Sequence, residues 1–215
     1  GVYRLADGTV VQAGSLKTDL LTPQGFARIA HDEIFARAPA TLTQIQTHAD
    51  PGFAFTRQAA SDETGLSVAM QAAESALFGH RGAETIGWVS VAAGRGIAAA
   101  PGSDAARFEA GRTDPAIYDG GARHDFSAPF PAAPGVVAKL SSFAGPDPAV
   151  LRLSTVDAAG FAARAQEDQS LDLETTHAGE VADYVALALP GGQAAAAGAP
   201  LKQIGEVHRI SLSDA

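Results

Sequence analysis

The sequence carries one pattern twice, and this duplication limits the folds that are open to it. A set of six residues recurs 95 positions later, with Phe35, Pro39, Pro51, Arg57, Gly65 and Gln71 repeated as Phe130, Pro134, Pro146, Arg152, Gly160 and Gln166. Three more pairs follow at spacings of 96 or 97, namely His80 with His177, Glu84 with Glu180 and Trp88 with Tyr184. Solenoid repeats are roughly 20 to 50 residues long, so each copy is predicted to fold as a small domain.

The 215 residues agree with two such domains. We predict a first domain at 1–95, a linker at 96–106, a second domain at 107–190, and a Gly/Ala/Pro-rich linker with a C-terminal strand at 191–215. The linkers are predicted from their Gly, Ala, Pro and Ser content. The final strand is predicted from Ile204-Gly205-Glu206-Val207, which partly repeats the Ala-Gly pairs that open the two copies.

The composition excludes several classes of partner. A formal net charge of −9 with no basic run disfavours nucleic acid and anionic lipid. The absence of Cys excludes disulfides and thiolate metal sites. No segment reaches the roughly 18 apolar residues of a membrane span, so we predict no membrane insertion. Because only 7% of the residues are aromatic, the cores are predicted to be thin, which favours two layers of sheet.

The hydrophobic pattern predicts an all-β fold. Alternating residues at period two indicate strands at Thr41–Thr47, Ile86–Val91, Val136–Ser142, Val150–Leu153 and Asp183–Leu189. The segments after Gly65 and Gly160 are rich in helix-forming residues, but their apolar residues alternate, so we predict strands there too. Both glycines are predicted to be turn residues with positive φ. Short strands separated by frequent turns predict two tandem antiparallel β-sandwich domains.

The ordered spacing of these residues resembles the H-type lectin domain. The resemblance lies in Phe35, Pro39, the alternating segment 41–45, Arg57 eight residues before Gly65, and Trp88-Val89-Ser90-Val91, with the equivalent residues of the second copy. It implies a six-stranded antiparallel β-sandwich, assembly into trimers, and binding of galactose-type sugars between protomers. Phe53 and Pro148 stand where the family has an arginine, and Ala73 and Asp168 stand where it has an aromatic residue. The resemblance therefore implies the scaffold without the family's sugar site.

Polar residues near the end of each copy are the candidate ligand-binding residues. They are Glu74, His80 and Glu84 in the first copy and Asp168, His177 and Glu180 in the second. They could contact sugar hydroxyls or coordinate a divalent cation such as calcium. Alternatively, Glu84 and Glu180 could hydrogen-bond the loop backbone and fix the turn that carries the His. Arg57 and Arg152 are either ion-paired at a sheet edge or contact an anion or sugar.

The motifs of common hydrolases are missing from the sequence, which contains no HExxH, no GxSxG and no Cys nucleophile. We therefore expect a non-enzymatic protein with no required cofactor, and we leave the metal open. The predicted function is binding of cell-surface or capsular polysaccharide by an extracellular adhesin or a virion-spike protein that forms homo-oligomers, with trimers favoured. The alternative is a purely structural or oligomerisation spacer in a secreted adhesin or phage-like particle.

Overall fold

The structure is a computed structural model that describes residues 1–98 and 106–188. These residues form fourteen β-strands and two short 3-10 helices, at Thr22–Gln24 and Glu74–Ala76. Every pairing between the named strands is antiparallel. The predicted all-β fold of antiparallel sheets is thus confirmed. In the described part of the chain, no helix has the length and apolar character needed to cross a membrane.

The first module contains seven strands in two sheets. They are β1 (Val2–Arg4), β2 (Val10–Thr18), β3 (Ala27–Ala30), β4 (Ala40–Ile45), β5 (Ala54–Asp62), β6 (Gly65–Ala72) and β7 (Glu84–Val91). The strand orders are β1-β2-β7-β4 and β3-β6-β5. Alternate side chains of β6 and β7 meet between the sheets, where Leu66, Val68 and Met70 pack with Ile86 and Trp88. These two sheets form a β-sandwich around one core.

The second module repeats this arrangement strand by strand. Its strands are β8 (Gly94–Ala98), β9 (Ala106–Arg112), β10 (Ala122–Asp125), β11 (Gly135–Leu140), β12 (Ala149–Val156), β13 (Gly160–Glu167) and β14 (Ala182–Ala188). The strand orders are β8-β9-β14-β11 and β10-β13-β12, the same as in the first module. Its core is built around Phe126, Phe130, Phe161 and Tyr184.

Two features of the modules differ from the sequence-based expectation. Each module has a seventh strand, β1 or β8, which pairs with β2 or β9 and exceeds the six strands that the lectin resemblance implies. Strand β8 extends into the segment 96–106 that was predicted to be a linker, and β9 begins at its last residue. Residues 99–105 and the predicted C-terminal strand in 191–215 lie outside the described residues.

Both ambiguous segments are strands, β6 and β13, but the prediction for the glycines that begin them is wrong. Within the described residues, positive φ occurs at Gly8, Gly25, Gly94 and Gly121 and not at these two positions. A Cβ on Gly65 would overlap the carbonyl oxygen of Ile29 in β3, and one on Gly160 would overlap that of His124 in β10. Glycine is therefore required by close contact between neighbouring strands.

The two modules pack against each other through a separate apolar cluster. Ala40 and Val91 of the first module contact Phe108 and Ala110 of the second, and Val185 packs at the margin of this cluster. Strand β4, at the edge of its sheet, contacts β14, β11 and β9. The edge of the first sandwich thus lies on the four-stranded sheet of the second.

Candidate functional site

Glu84 begins β7 and fixes the loop that follows β4. Its carboxylate accepts hydrogen bonds from the backbone amides of Ala49 at 2.7 Å and Asp50 at 3.2 Å, and from the hydroxyl of Thr47. The Thr47 bond and the two amides lower the pKa of Glu84 against the opposing effect of burial. With its side chain only 1% exposed, this carboxylate is enclosed by its own loop.

Glu180 repeats these contacts in the second module. It accepts hydrogen bonds from the amide of Ala144 at 3.0 Å, the more distant amide of Gly145 at 3.5 Å and the hydroxyl of Ser142. All three donors are the equivalents, 95 positions later, of those around Glu84. The geometry therefore matches the alternative in which Glu84 and Glu180 hydrogen-bond the loop backbone and fix the loop.

His80 is also used inside its loop. Its Nδ1 lies 2.8 Å from the carbonyl oxygen of Gly52, and its Nε2 lies 3.0 Å from that of Gly82. The side chain is 3% exposed, so a ligand would need to displace the loop to reach it.

His177 lies between two buried carboxylates. Its Nδ1 is 2.6 Å from Glu167 and its Nε2 is 3.2 Å from Glu180. An imidazolium, in which both ring nitrogens donate, matches these two contacts with carboxylate oxygens. The hydrogen bond to Glu180 raises the pKa of His177, while burial opposes this shift.

This arrangement does not gather the three groups around one point. The two carboxylates approach opposite nitrogens of the ring, so the His177 ring separates them. No group of three or more His, Asp or Glu residues that could hold a metal ion occurs within 1–98 and 106–188.

Arg57 forms an ion pair that crosses from the first module to the second. Its Nη2 donates to Glu180 at 2.5 Å, its Nη1 to the carbonyl oxygen of Ser142 at 2.8 Å, and its Nε to Gln71 at 3.1 Å. The side chains of Arg57 and Glu180 are 1% and 0% exposed. Burial alone would raise the pKa of Glu180, but hydrogen bonding from His177 and the charge of Arg57 lower it to about 2.

Further contacts surround this ion pair at the module junction. The side-chain amide of Gln71 donates to the carbonyl oxygen of Pro146 at 2.9 Å. The ring of Phe143 lies under the guanidinium of Arg57, 5.3 Å from it, and packs edge-on against Phe26 of the first module. The loop that Glu180 fixes is thus the surface on which Arg57 docks.

A second polar cluster at the junction was not anticipated from the sequence. Asp183 accepts hydrogen bonds from Arg112 at 2.7 Å and from the backbone amide of Thr41 in β4 at 2.8 Å. Arg112 also donates to the carbonyl oxygen of Ser61 at 2.6 Å. Asp183 and Arg112 have no charged equivalents in the first module, so a search for repeated residues passes over them.

Arg152, the equivalent of Arg57, lies in a different environment. It keeps the bond from Nε to Gln166 at 3.0 Å, but its side chain is exposed. It lines a shallow cavity of about 720 Å³ on the outer face of the β10-β13-β12 sheet. Arg123 and Arg164 lie in the same wall, and neither is among the predicted ligand-binding residues.

Glu74 and Asp168 meet where the long loops of the two modules touch. The backbone amide of Glu74 donates to Asp168 at 2.8 Å, and that of Ser75 donates to Ser170 at 3.1 Å. Burial, followed by the nearby carboxylates of Asp172 and Asp147, raises the pKa of Glu74.

Asp168 also lines a cavity between the modules. This cavity has a volume of about 250 Å³, and its wall includes Phe53 and Phe55 from the first module and Gln166 from the second. The Phe53 ring is 64% exposed and lies 6.0 Å from the Phe55 ring. Because Gln166 also lines the larger cavity beside Arg152, the two cavities adjoin.

The fold and these contacts define a protein of two tandem antiparallel β-sandwich modules, joined by an apolar cluster and by the buried ion pair between Arg57 and Glu180. Scans of the chain against protein-family models, curated proteins and solved structures gave no match. The relation to H-type lectins therefore stays a prediction from the residue pattern.

Proposed function

We propose that this chain is a non-enzymatic structural segment, a spacer within a secreted adhesin or a phage-like particle. The observation that carries this proposal is the ion pair between Arg57 and Glu180, buried across the two modules. Of the eight residues predicted to bind a ligand, five are buried in contacts within or between the modules: Arg57, His80, Glu84, His177 and Glu180. Their positions favour a structural role over a ligand site.

The junction has the features of a fixed connection. Domains in one chain move relative to each other by default unless their interface is extensive and apolar. Here the modules share an apolar cluster around Phe108, the buried ion pair between Arg57 and Glu180, and the hydrogen bond from the Thr41 amide to Asp183. Moving the modules apart would expose the apolar cluster and leave Glu180 without Arg57, and separating a buried pair of charges is costly. A spacer needs this resistance to bending.

Scanning calorimetry tests this proposal. We expect the native protein to unfold in one transition, with equal calorimetric and van't Hoff enthalpies. The double variant Arg57→Gln with Asp183→Asn should separate it into two transitions, because each module retains its own core. Two independent transitions in the native protein would contradict a rigid spacer.

Carbohydrate binding is the second candidate, and the cavity between the modules favours it. Exposed aromatic rings offer an apolar face to a sugar ring, and carboxylate and amide groups accept and donate hydrogen bonds to its hydroxyls. The cavity combines Phe53 and Phe55 with Asp168 and Gln166. In this proposal the protein acts at a cell or particle surface, and assembly into trimers would raise the avidity for polysaccharide.

A glycan array followed by titration of any hit tests the second candidate. Phe53→Ala should abolish binding, because it removes the exposed ring of the cavity. Phe78→Ala is the matched control, since Phe78 is 55% exposed and does not line this cavity. An array without a hit, or equal losses in the two variants, would count against carbohydrate binding there.

A further inference from the structure

Two arginines face each other directly on the outer face of the second module. Arg152 of β12 and Arg164 of β13 are cross-strand partners, and both side chains are exposed. Like charges in directly opposite positions destabilise a sheet. Within the described part of the chain, Arg164 forms no ion pair or hydrogen bond that would offset this repulsion. A bound anion would offset it.

Arg57 of the first module shows which groups the equivalent Arg152 can bind. Arg57 and Arg152 are equivalent, and each donates Nε to a glutamine, at 3.1 Å and 3.0 Å. This shared contact leaves the two Nη groups free to face outward. At Arg57 they contact the carboxylate of Glu180 and a carbonyl oxygen from the neighbouring module. Arg152 and Gln166 thus form the same pair on an exposed surface, where the Nη groups of Arg152 are open to a carboxylate.

The surface around Arg152 does not suit another module of this kind. Ala69, the cross-strand partner of Arg57, is fully buried in the first module. Its equivalent is Arg164, whose longer charged side chain would occupy the space that a docked loop needs. The cavity of about 720 Å³ is within the range of small-molecule sites, which hold roughly 300 to 1,000 Å³.

We propose that this cavity binds an acidic saccharide, with Arg152 and Arg164 receiving the carboxylate of a uronic acid residue. A guanidinium matches the planar carboxylate through paired hydrogen bonds. Leu153 and Ala162 provide apolar surface for the sugar ring, and Ser154 and Gln166 provide polar groups for its hydroxyls. This acidic sugar class rests on the proposed carbohydrate binding. Gln166 lines both this cavity and the cavity between the modules, so one saccharide chain could contact both.

Isothermal titration with trigalacturonate and with its neutral methyl ester tests the proposal. We expect the acid to bind about tenfold or more tightly than the ester, since hydrogen bonds to charged groups contribute about 1.5 to 3 kcal/mol and 1.4 kcal/mol corresponds to tenfold. Arg152→Gln and Arg164→Ala should each remove this preference, and the second restores the alanine of the first module. Arg28→Gln is the matched control, because Arg28 is an exposed arginine of the equivalent sheet in the first module.

Each other outcome overturns the proposal. Equal binding of acid and ester, or no binding of either, excludes acid recognition. Inorganic phosphate that displaces trigalacturonate at equal concentration would indicate a general anion site. Self-association that is lost in Arg152→Gln would indicate that a second copy of the chain occupies the surface. Binding of neutral glycans that needs Phe53 but not Arg152 would leave the proposed carbohydrate function standing without this acidic preference.

Discussion

Arg57 and Arg152 are the same residue of a repeated module in two environments. Both lie in an edge strand and both bind a glutamine through Nε. Arg57 is buried because the loop containing Ser142 and Phe143 covers it, whereas Arg152 remains open to solvent. The role of each arginine is thus set by what lies against its module.

Replacing Arg57 should destabilise the protein much more than replacing Arg152. Arg57→Gln leaves the carboxylate of Glu180 buried without its guanidinium partner, and breaking a buried ion pair costs about 3 to 5 kcal/mol. Arg152→Gln changes an exposed side chain, so we expect a change within about 0.5 kcal/mol. Urea denaturation of both variants measures the free energies of unfolding. Equal losses of stability in the two variants would contradict the buried role of Arg57 and the exposed position of Arg152.

The imidazolium of His177 should make stability depend on pH. The pKa of His177 is raised above its usual 6.5, chiefly by the bond to Glu180, so its contribution is complete below pH 6.5 and is lost as the pH rises through the raised value. The pKa of Glu180 is lowered from 4.5 to about 2, so its contribution is complete above pH 4.5 and is lost as the pH falls toward 2. Between pH 4.5 and 6.5 both contributions are present.

The variant His177→Gln isolates this effect. We expect the difference in free energy of unfolding between the native protein and this variant to decrease as the pH rises above 6.5. Burial and the charge of Arg57 lower the pKa of Lys139 to about 8, but Lys139 is present in both proteins and largely cancels in the difference. Denaturation of both proteins at a series of pH values measures this difference in free energy of unfolding. A constant difference up to pH 9 would mean that His177 is neutral in the folded protein.

At the scale of elements, the close pairing of β3 with β6 depends on Gly65. Gly65→Ala should force the two strands apart, because the added Cβ would overlap the carbonyl oxygen of Ile29. Overpacking of this kind costs about 1 to 3 kcal/mol. Gly135→Ala is the control, since its Cβ would meet only the carbonyl oxygen of Leu187 at 3.8 Å. Thermal denaturation should show a clear loss for the first variant and little change for the second.

Alternation of apolar residues predicted half of the fourteen strands, namely β4, β6, β7, β11, β12, β13 and β14. It correctly overrode helix propensity in β6, because Leu66, Val68 and Met70 lie on the core face. It could not predict why Gly65 and Gly160 are needed, since close contact depends on which strand lies alongside. The duplication identified Glu84 and Glu180 as equivalent residues. Both accept hydrogen bonds from equivalent donors in their loops, which explains why a glutamate occurs in both copies. The repeat could not reveal that the Arg57 ion pair crosses the modules.

Several residues with important roles differ between the two copies, so the repeat does not identify them. Asp183 and Arg112 hold the junction and have no charged counterpart in the first module. Arg164 stands where the first module has Ala69 and creates the open basic surface. The sequence shows that these positions differ between the copies, but their roles depend on burial and on strand pairing, which only the fold provides.

At the scale of the whole molecule, docking covers an edge of the first sandwich. An exposed edge strand offers unpaired backbone groups to other chains, so proteins commonly cover such edges. The amide of Thr41 in the edge strand β4 is bonded to the side chain of Asp183 from the other module. The second module thus covers this edge, and its own equivalent strand, β11, also contacts β4 at the junction.

Hydrogen exchange of the Thr41 amide tests most directly whether the two modules are fixed to each other, because this amide donates its hydrogen bond to Asp183 of the other module. We predict that this amide exchanges as slowly as core amides of β7 in the native protein and becomes fast in Asp183→Ala. Exchange of Thr41 in the native protein at the rate of an unprotected amide would contradict a fixed junction and with it the proposed spacer.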